Sequence, residues 1–286
     1  RASPVLQQRG VSLVVDPTDP LATQAPVQWA GWQLEGTLAS RGVGMTCCGR
    51  LAETLPGGPC LLAAGAQLSA ACDLLHAAGV AGPTGKEGLA LVEVEIGGRR
   101  VLVACGADVR GLVYALLELA DRVGHADDPL APLTHPQPLI EQPANRIRSV
   151  TRLFTSEVED KPWFYDREFW RRYLDELAMQ RFNRFSLALG LGYNFPRNVR
   201  DSYFYFSYPF LVTVPGHDVR AIGLPDEERD RNLDTLRFVS EETTKRGLDF
   251  QLALWTHAHE FADSPEVNYT IGGLTPETHA PYCRDA

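Results

Sequence analysis

The sequence predicts two domains of mixed α and β structure: an N-terminal α+β, sandwich-like domain over residues 1–125 and the first part of a (β/α)8 barrel over residues 146–286. Three observations predict this. The stretch between them, residues 126–145, carries Pro129, Pro132, Pro136, Pro138 and Pro143 and reads as an extended connector. After it the pattern runs strand, helix, strand, helix, strand, an order that calls for parallel strands with helical crossovers. In the third of those strands Phe250, Leu252 and Leu254 share an aliphatic face. The other face, Gln251, Ala253, Trp255, His257 and His259, is mixed and turns polar at its C-terminal end. A barrel interior opening into a site has that character, whereas a doubly wound sheet keeps both faces aliphatic.

The first region begins with a short strand, VSLVV (Val11–Val15). A helix over Pro26–Ser40 follows, with proline in its first turn. PCLLAAG is a second strand, and QLSAACDLLHAAG has helical apolar spacing with Gly79 as its stop. LALVEVEI and RRVLVAC flank Gly97-Gly98, a pair suited to a primed hairpin turn. DVRGLVYALLELADRV is a long helix that Asp108 can cap. In the second region, NRIRSVTRLF, RFSLALG and LDFQLALWTHA are the strands. The helices are DREFWRRYLDELAMQRFN, with Phe169, Tyr173, Leu174 and Leu177 on one face, and PDEERDRNLDTLRFVSEETTKRG, ending at Gly247. Thr275-Pro276 opens a further helix.

Composition narrows the function. With 36 acidic and 27 basic residues the chain carries a net charge of −9, and no basic block supplies phosphate contacts, so nucleic acid is not an expected partner. No run approaches the length of a membrane span, so no membrane partner is expected either. The start, RASPVLQQRG, lacks an apolar signal core and reads as processed or trimmed. The six cysteines show no CxxC, and Cys60, Cys72 and Cys105 lie in apolar contexts and read as buried thiols. This leans towards a reducing compartment and leaves a cytoplasmic and an exported location both open. LGLGYNF (Leu189–Phe195) is not a phosphate-binding glycine loop, and no cofactor is called for.

EGLALVEVEIGGRRVLVACGADVRGLVYALLELAD, with its hairpin, small-residue turn, Arg110-Gly111 and Tyr114 opening a helix, resembles the end of the N-terminal domain that precedes the catalytic barrel in α-glucuronidases and β-N-acetylhexosaminidases. These are glycoside hydrolase families 67 and 20. The resemblance is sharp over residues 87–120 and architectural elsewhere. It extends to a linker followed by a strand opening with an arginine, here IRSVTRLF with Arg148 and Arg152. It implies a carbohydrate substrate and acid catalysis at a glycosidic oxygen, with a second carboxylate or the substrate's own amide supporting the developing charge. In those families the catalytic carboxylates end later barrel strands, and residues 145–286 hold about three of the eight βα units. The catalytic residues are therefore not assigned within this chain. The rest of the barrel is expected from the same longer protein or from a second chain.

Several residues are candidates for holding the sugar. Arg152, near the end of the first barrel strand, stands where family 20 enzymes place a sugar-contacting arginine, and its fork also suits a uronate carboxylate. Pairing with Glu157 or Glu159 is the structural alternative. Asn194, beside Tyr193, follows the second strand and can serve hydroxyls or simply shape a loop. Trp255, His257 and His259 follow the third strand, with Glu260 adjacent. They can contact a sugar, the histidines can hold a metal in a metal-dependent hydrolase, or all can merely pack. Trp255 and His257 are expected to face the barrel interior together with Arg152. The aromatic insertion SYFYFSYPF (Ser202–Phe210) can stack sugar rings through Tyr203, Tyr205 and Tyr208, or can be plain structure. Glu157, Glu159 and Asp160 are acids without an assigned role. Arg110 and Gly111 are read as structural, the glycine allowing close approach and the arginine bonding nearby carbonyls. A non-catalytic carbohydrate-binding protein is the remaining alternative.

Overall fold

The computed structural model describes residues 10–190, 202–254 and 269–286. The chain forms two compact units, residues 1–146 with 245–247, and residues 147–244 with 248–286. Among the described residues no helix is long and apolar enough to cross a membrane.

In chain order the first unit contains β1 (Gly10–Val15), α1 (Ala25–Ser40), β2 (Gly44–Cys48), β3 (Cys60–Gly65), α2 (Ser69–Ala77), β4 (Leu89–Ile96), β5 (Arg99–Gly106), α3 (Val109–His125), α4 (Ala131–Thr134) and β6 (Leu139–Glu141). Its sheet runs β2-β1-β3-β5-β4-β6. β2, β1, β3 and β5 are parallel, while β4 is antiparallel to β5 and to β6. The expectation of an α+β sandwich is corrected to one mixed α/β sheet. The reason is visible in β3, CLLAAG, whose six residues are all buried and so are covered on both faces. Ala71 and Leu75 of α2 pack with Val14, Leu62 and Val103 on one face. On the other face α1 lies over Leu13, and a Cβ on Gly31 would stand in ordinary contact with Leu13 Cδ2 at 3.7 Å.

Two local features depart from the sequence reading. β2, GMTCC, is an exposed edge strand without alternating burial, so period-2 reasoning does not find it. The proline-rich segment is more than a connector: it forms α4 and β6, which lines the open edge of β4. Pro132 sits in the first turn of α4, where no N–H is needed, and β6 is an edge strand, the sheet position prolines tolerate nearby.

The β4-β5 hairpin and the turn from β5 into α3 meet their expectations. Gly97 and Gly98 have φ of 57° and 80°, as a primed hairpin turn requires. Asp108 caps α3 through Gly111 N–H at 2.9 Å, and its second oxygen accepts Glu87 N–H at 2.9 Å. Arg110 donates to Gly247 O at 2.5 Å and pairs with the buried Glu87 at 3.1 Å. A Cβ on Gly111 would stand 2.1 Å from Gly88 O, so helix and strand meet here at a distance only glycine permits.

The second unit contains β7 (Ser149–Phe154), α5 (Glu157–Phe164), α6 (Arg167–Met179), β8 (Arg184–Leu189), β9 (Arg220–Ile222), α7 (Asp226–Lys245), β10 (Asp249–Leu254), β11 (Thr270–Gly272) and α8 (Pro276–Asp285). β7, β8 and β10 form a parallel sheet in the order β10-β8-β7. β9 and β11 form a separate antiparallel pair. Register aligns Val150, Phe185 and Phe250, then Arg152, Leu187 and Leu252, then Phe154, Leu189 and Leu254. By strand alternation these rows share one face, and Phe185, Leu187 and Leu189 on it are fully buried in a core with Trp170, Leu174 and Leu177 of α6. The opposite face carries a polar row in which Ser149 Oγ lies 3.4 Å from Ser186 Oγ and Ser186 donates to Gln251 Oε1 at 3.1 Å. Helix α8 is capped by Thr275 as expected.

One prediction concerns the first unit. Gly111→Ala should lower its stability by about 2 kcal/mol or more, because the new Cβ meets backbone, which gives way less readily than a side chain. Chemical denaturation followed by circular dichroism should show the midpoint falling with the slope unchanged.

Candidate functional site

In parallel α/β units, sites form beyond the C-terminal ends of the strands. Past β7 the chain enters α5, whose Ser156 cap accepts Glu159 N–H. Asp160 secures this entry. One of its oxygens accepts Thr155 N–H at 2.6 Å and Ser156 N–H at 2.9 Å, and the other accepts Trp163 Nε1–H at 2.8 Å. Helical spacing then places Glu157 and Lys161 on one face, 3.1 Å apart.

Lys161 Nζ also reaches Glu228, in the first turn of α7, at 2.6 Å. It stands 4.2 Å from the centre of the Tyr203 ring. Tyr203, in the segment between β8 and β9, donates its hydroxyl proton to Glu228 at 2.7 Å. Tyr269 donates to the other acid, Glu157, at 2.9 Å, and its backbone N–H donates to Ser202 Oγ at 2.9 Å. Behind this row, Asn232 Nδ2 donates to Tyr203 Oη at 2.8 Å and Tyr165 donates to Asn232 Oδ1 at 2.7 Å. One ammonium, two carboxylates and three phenols thus join the segments after β7 and β8, the start of α7 and the segment leading into β11.

The electrostatics follow from these contacts. Burial alone would lower the Lys161 pKa, but the bonds to Glu228 and Glu157 outweigh it and raise it. Burial would raise Glu228, yet Lys161 and Tyr203 hold it below the ordinary glutamate value. Burial, followed by Glu228 beside it, pushes the Tyr203 phenol far up. The cluster is an ion-paired anchor whose ionised Glu228 accepts hydrogen bonds and is ill suited to donating a proton. Sequence reasoning saw Glu157 and Tyr203 but not Lys161, Glu228 and Tyr269 as their partners. The i, i+4 spacing of Glu157 and Lys161 was the one local signal; Glu228 and Tyr269 are brought in by the fold.

Of the predicted sugar contacts, Asn194, Trp255, His257 and His259 lie outside the described residues, as do Tyr193 and Glu260. Arg152 is described, and its expected orientation is corrected. It occupies the same row as Leu187 and Leu252, whereas residues of Trp255 parity, Gln251 and Ala253, belong to the opposite face. Its guanidinium lies 4.0 Å from the Trp163 ring centre, 4.9 Å from Phe169 and 5.6 Å from Tyr173. Neither Glu157 nor Glu159 takes it; aromatic faces do, a setting that suits a planar cation. For the aromatic insertion the structural alternative holds. Tyr203 and Tyr205 are buried, and Phe204, Phe206 and Phe210 fill the core, so this segment is interior packing and not an exposed stacking platform. Arg148 is a strand-entry tie, donating Nε–H to Arg181 O at 2.6 Å. Among the described residues no group of three His, Cys, Asp or Glu side chains is placed to hold a metal.

No protein-family model matches the sequence, and no curated protein does. Solved structures do resemble it. One is a GH138 enzyme targeting pectin rhamnogalacturonan II, at 18% identity and a TM-score of 0.57, covering 84% of this chain and 30% of that one. Another is CpGH84D, at 10% identity and a TM-score of 0.55, covering 97% of this chain and 37% of that one. The GH20 β-N-acetylhexosaminidase from Streptomyces coelicolor A3(2) follows at 16% identity, a TM-score of 0.43, and coverage of 85% and 41%. The chain therefore has a glycoside hydrolase-like fold and spans about a third of the first two structures it matches. These comparisons do not support a specific assignment to families 67 or 20.

The anchor predicts an acid dependence. Glu228 has a folded-state pKa below its ordinary 4.5, so the stability it contributes is present above that value and is lost as pH falls through the lower folded value. Denaturant midpoints should hold from pH 7 towards pH 5 and decline below about 4.5. In Glu228→Gln that decline should be shallower, with a lower midpoint at pH 7. An identical acid limb in the variant would show that Glu228 does not carry it.

Proposed function

We propose that this chain is the N-terminal portion of a carbohydrate-active enzyme, a glycoside hydrolase that cleaves uronic-acid- or amino-sugar-containing glycans by carboxylate acid/base catalysis. The observation that carries the reading is the fold shared with two glycoside hydrolases over most of this chain. The parallel β7-β8-β10 sheet supports it as the opening of a (β/α)8 barrel, whose further strands come from the rest of a longer protein or from a second chain. A fold alone does not specify an activity, so the assignment rests on assay.

In this reading the sugar lies beyond the C-terminal ends of the strands, with Asn194, Trp255, His257 and His259 as its contacts from this chain. Glu157 and Glu228 both pair with Lys161 and serve as framework. The acid and its partner carboxylate come from later strand ends, outside this chain. Retaining and inverting chemistry would differ in the separation of those two groups. One solved relative of this fold targets rhamnogalacturonan II, which makes that pectin the first glycan to test.

The test is turnover by the protein as its gene encodes it, on rhamnogalacturonan II and a panel of aryl uronides and N-acetylhexosaminides. Release of reducing sugar is expected, with His257→Ala losing at least about tenfold in kcat/KM, roughly 1.4 kcal/mol, at an unchanged melting temperature. Absence of turnover on every glycoside, with sugar binding retained, would replace the enzyme by a binding protein. A stoichiometric metal lost in His257→Ala would replace it by a metal-dependent hydrolase.

A further inference from the structure

The first unit contains a groove of about 410 Å³, bounded by Gly57, Gly58, Glu93, Arg99, Arg100 and Thr134 and floored by buried Cys60 and Leu102. Its volume falls within the range of small-ligand sites, about 300–1,000 Å³. Two guanidinium groups and one carboxylate line it, a local excess of positive charge on a chain whose net charge is −9.

The two arginines differ in role. Arg99 is committed: it donates to Thr54 Oγ1 and, through Nη2, to Leu55 O at 3.0 Å and Gly58 O at 3.5 Å. It therefore fixes the 54–58 loop as a wall. That wall is shaped by glycine, since Gly57 has φ of +76° and a Cβ on Gly58 would stand 2.5 Å from Gly10 O. Arg100 is not committed in this way. Its Nη1 donates to Thr134 O at 3.2 Å and lies 3.8 Å from Glu93, with the arginine side chain 58% exposed. An ion pair that long and that exposed contributes little. Arg100 Nε and Nη2 make no hydrogen bond among the described residues. A guanidinium tethered at one corner, with an edge free, is arranged to take a carboxylate through two parallel N–H···O bonds. Glu93 and the Gly57-Gly58 backbone add acceptors and donors suited to hydroxyls.

We propose that this groove is a non-catalytic binding site for an acidic saccharide, in which Arg100 takes a uronate carboxylate and Glu93 accepts a neighbouring hydroxyl. The choice of a saccharide rests on the function proposed above; the preference for a carboxylate rests on the groove alone. Such a site would hold one part of a glycan on the first unit, adding binding without touching the reacting bond.

The test is calorimetric titration of the whole protein with trigalacturonate and with the neutral maltotriose. Trigalacturonate should bind and maltotriose should not. Arg100→Met should weaken trigalacturonate binding at least tenfold, with an unchanged melting temperature because the side chain is largely exposed. Thr134 offers only its backbone, so Thr134→Ala should bind as the wild type does. No heat with trigalacturonate, equal binding of both sugars, or undiminished binding by Arg100→Met would overturn the proposal. Binding lost in Arg100→Met from a protein that hydrolyses no glycoside would uphold the groove while the enzymatic reading failed. Hydrolysis with undiminished binding by Arg100→Met would do the reverse.

Discussion

A half-buried ammonium cannot stand without partners, and in the second unit Lys161 meets that requirement with two carboxylates from different helices. The polar contacts of this cluster are arranged around that need. Glu157 is supplied by the helix that carries Lys161, and Glu228 by the first turn of α7, where the helix dipole also favours an anion. The remaining capacity of the acids is taken up by phenols, Tyr269 on Glu157 and Tyr203 on Glu228. Asn232 then satisfies the buried Tyr203 oxygen, and Tyr165 satisfies Asn232. Each polar group is tolerable in a largely aromatic core because the next one answers it.

The aromatic packing and this polar chain are one structure. Phe154 ends β7 and touches the rings of Phe164, Tyr203 and Phe204 at centroid distances of 5.3, 5.5 and 4.9 Å. Tyr203 and Tyr269 lie in edge contact at 5.4 Å. The same side chains thus bury apolar area at their faces and hold the ion pairs at their tips, the double use for which tyrosine is suited. Movement of any one segment would cost both packing and charge compensation. The proposed sugar site would accordingly sit on a rigid floor, as positioning of a substrate requires.

Much of the fold was legible because it rests on local patterns. Gly97-Gly98, the Asp108 cap and Gly111 all express their roles within a few residues. What was not legible depends on distant partners. β2 lacks a pattern of its own and exists because β1 offers it an edge. The parallel pairing of the first sheet is decided by α1 and α2 returning the chain over its faces, which single-strand periodicity does not report. Arg152 was misplaced for a related reason: its position near a strand end matched a sugar-contacting arginine of the resembling family, while strand parity with Phe154 placed it among Trp163, Phe169 and Tyr173. SYFYFSYPF left two readings open because alternating aromatics signal either a surface or a core, and only the surrounding helices distinguish them. Lys161 and Glu228, 67 residues apart, could be paired only by the fold.

The central claim is that Lys161, Glu228 and Tyr203 act as a unit and not as separate surface contacts. A double-mutant cycle on stability tests it most directly, using Lys161→Met, Glu228→Gln and the pair together, with denaturant midpoints at pH 7. Each single change should cost about 1–3 kcal/mol, because it leaves a partner of the network unanswered. The two together should cost less than their sum, with a coupling of at least about 0.5 kcal/mol. Additive effects within about 0.3 kcal/mol would contradict the claim and reduce the pair to an ordinary exposed ion pair.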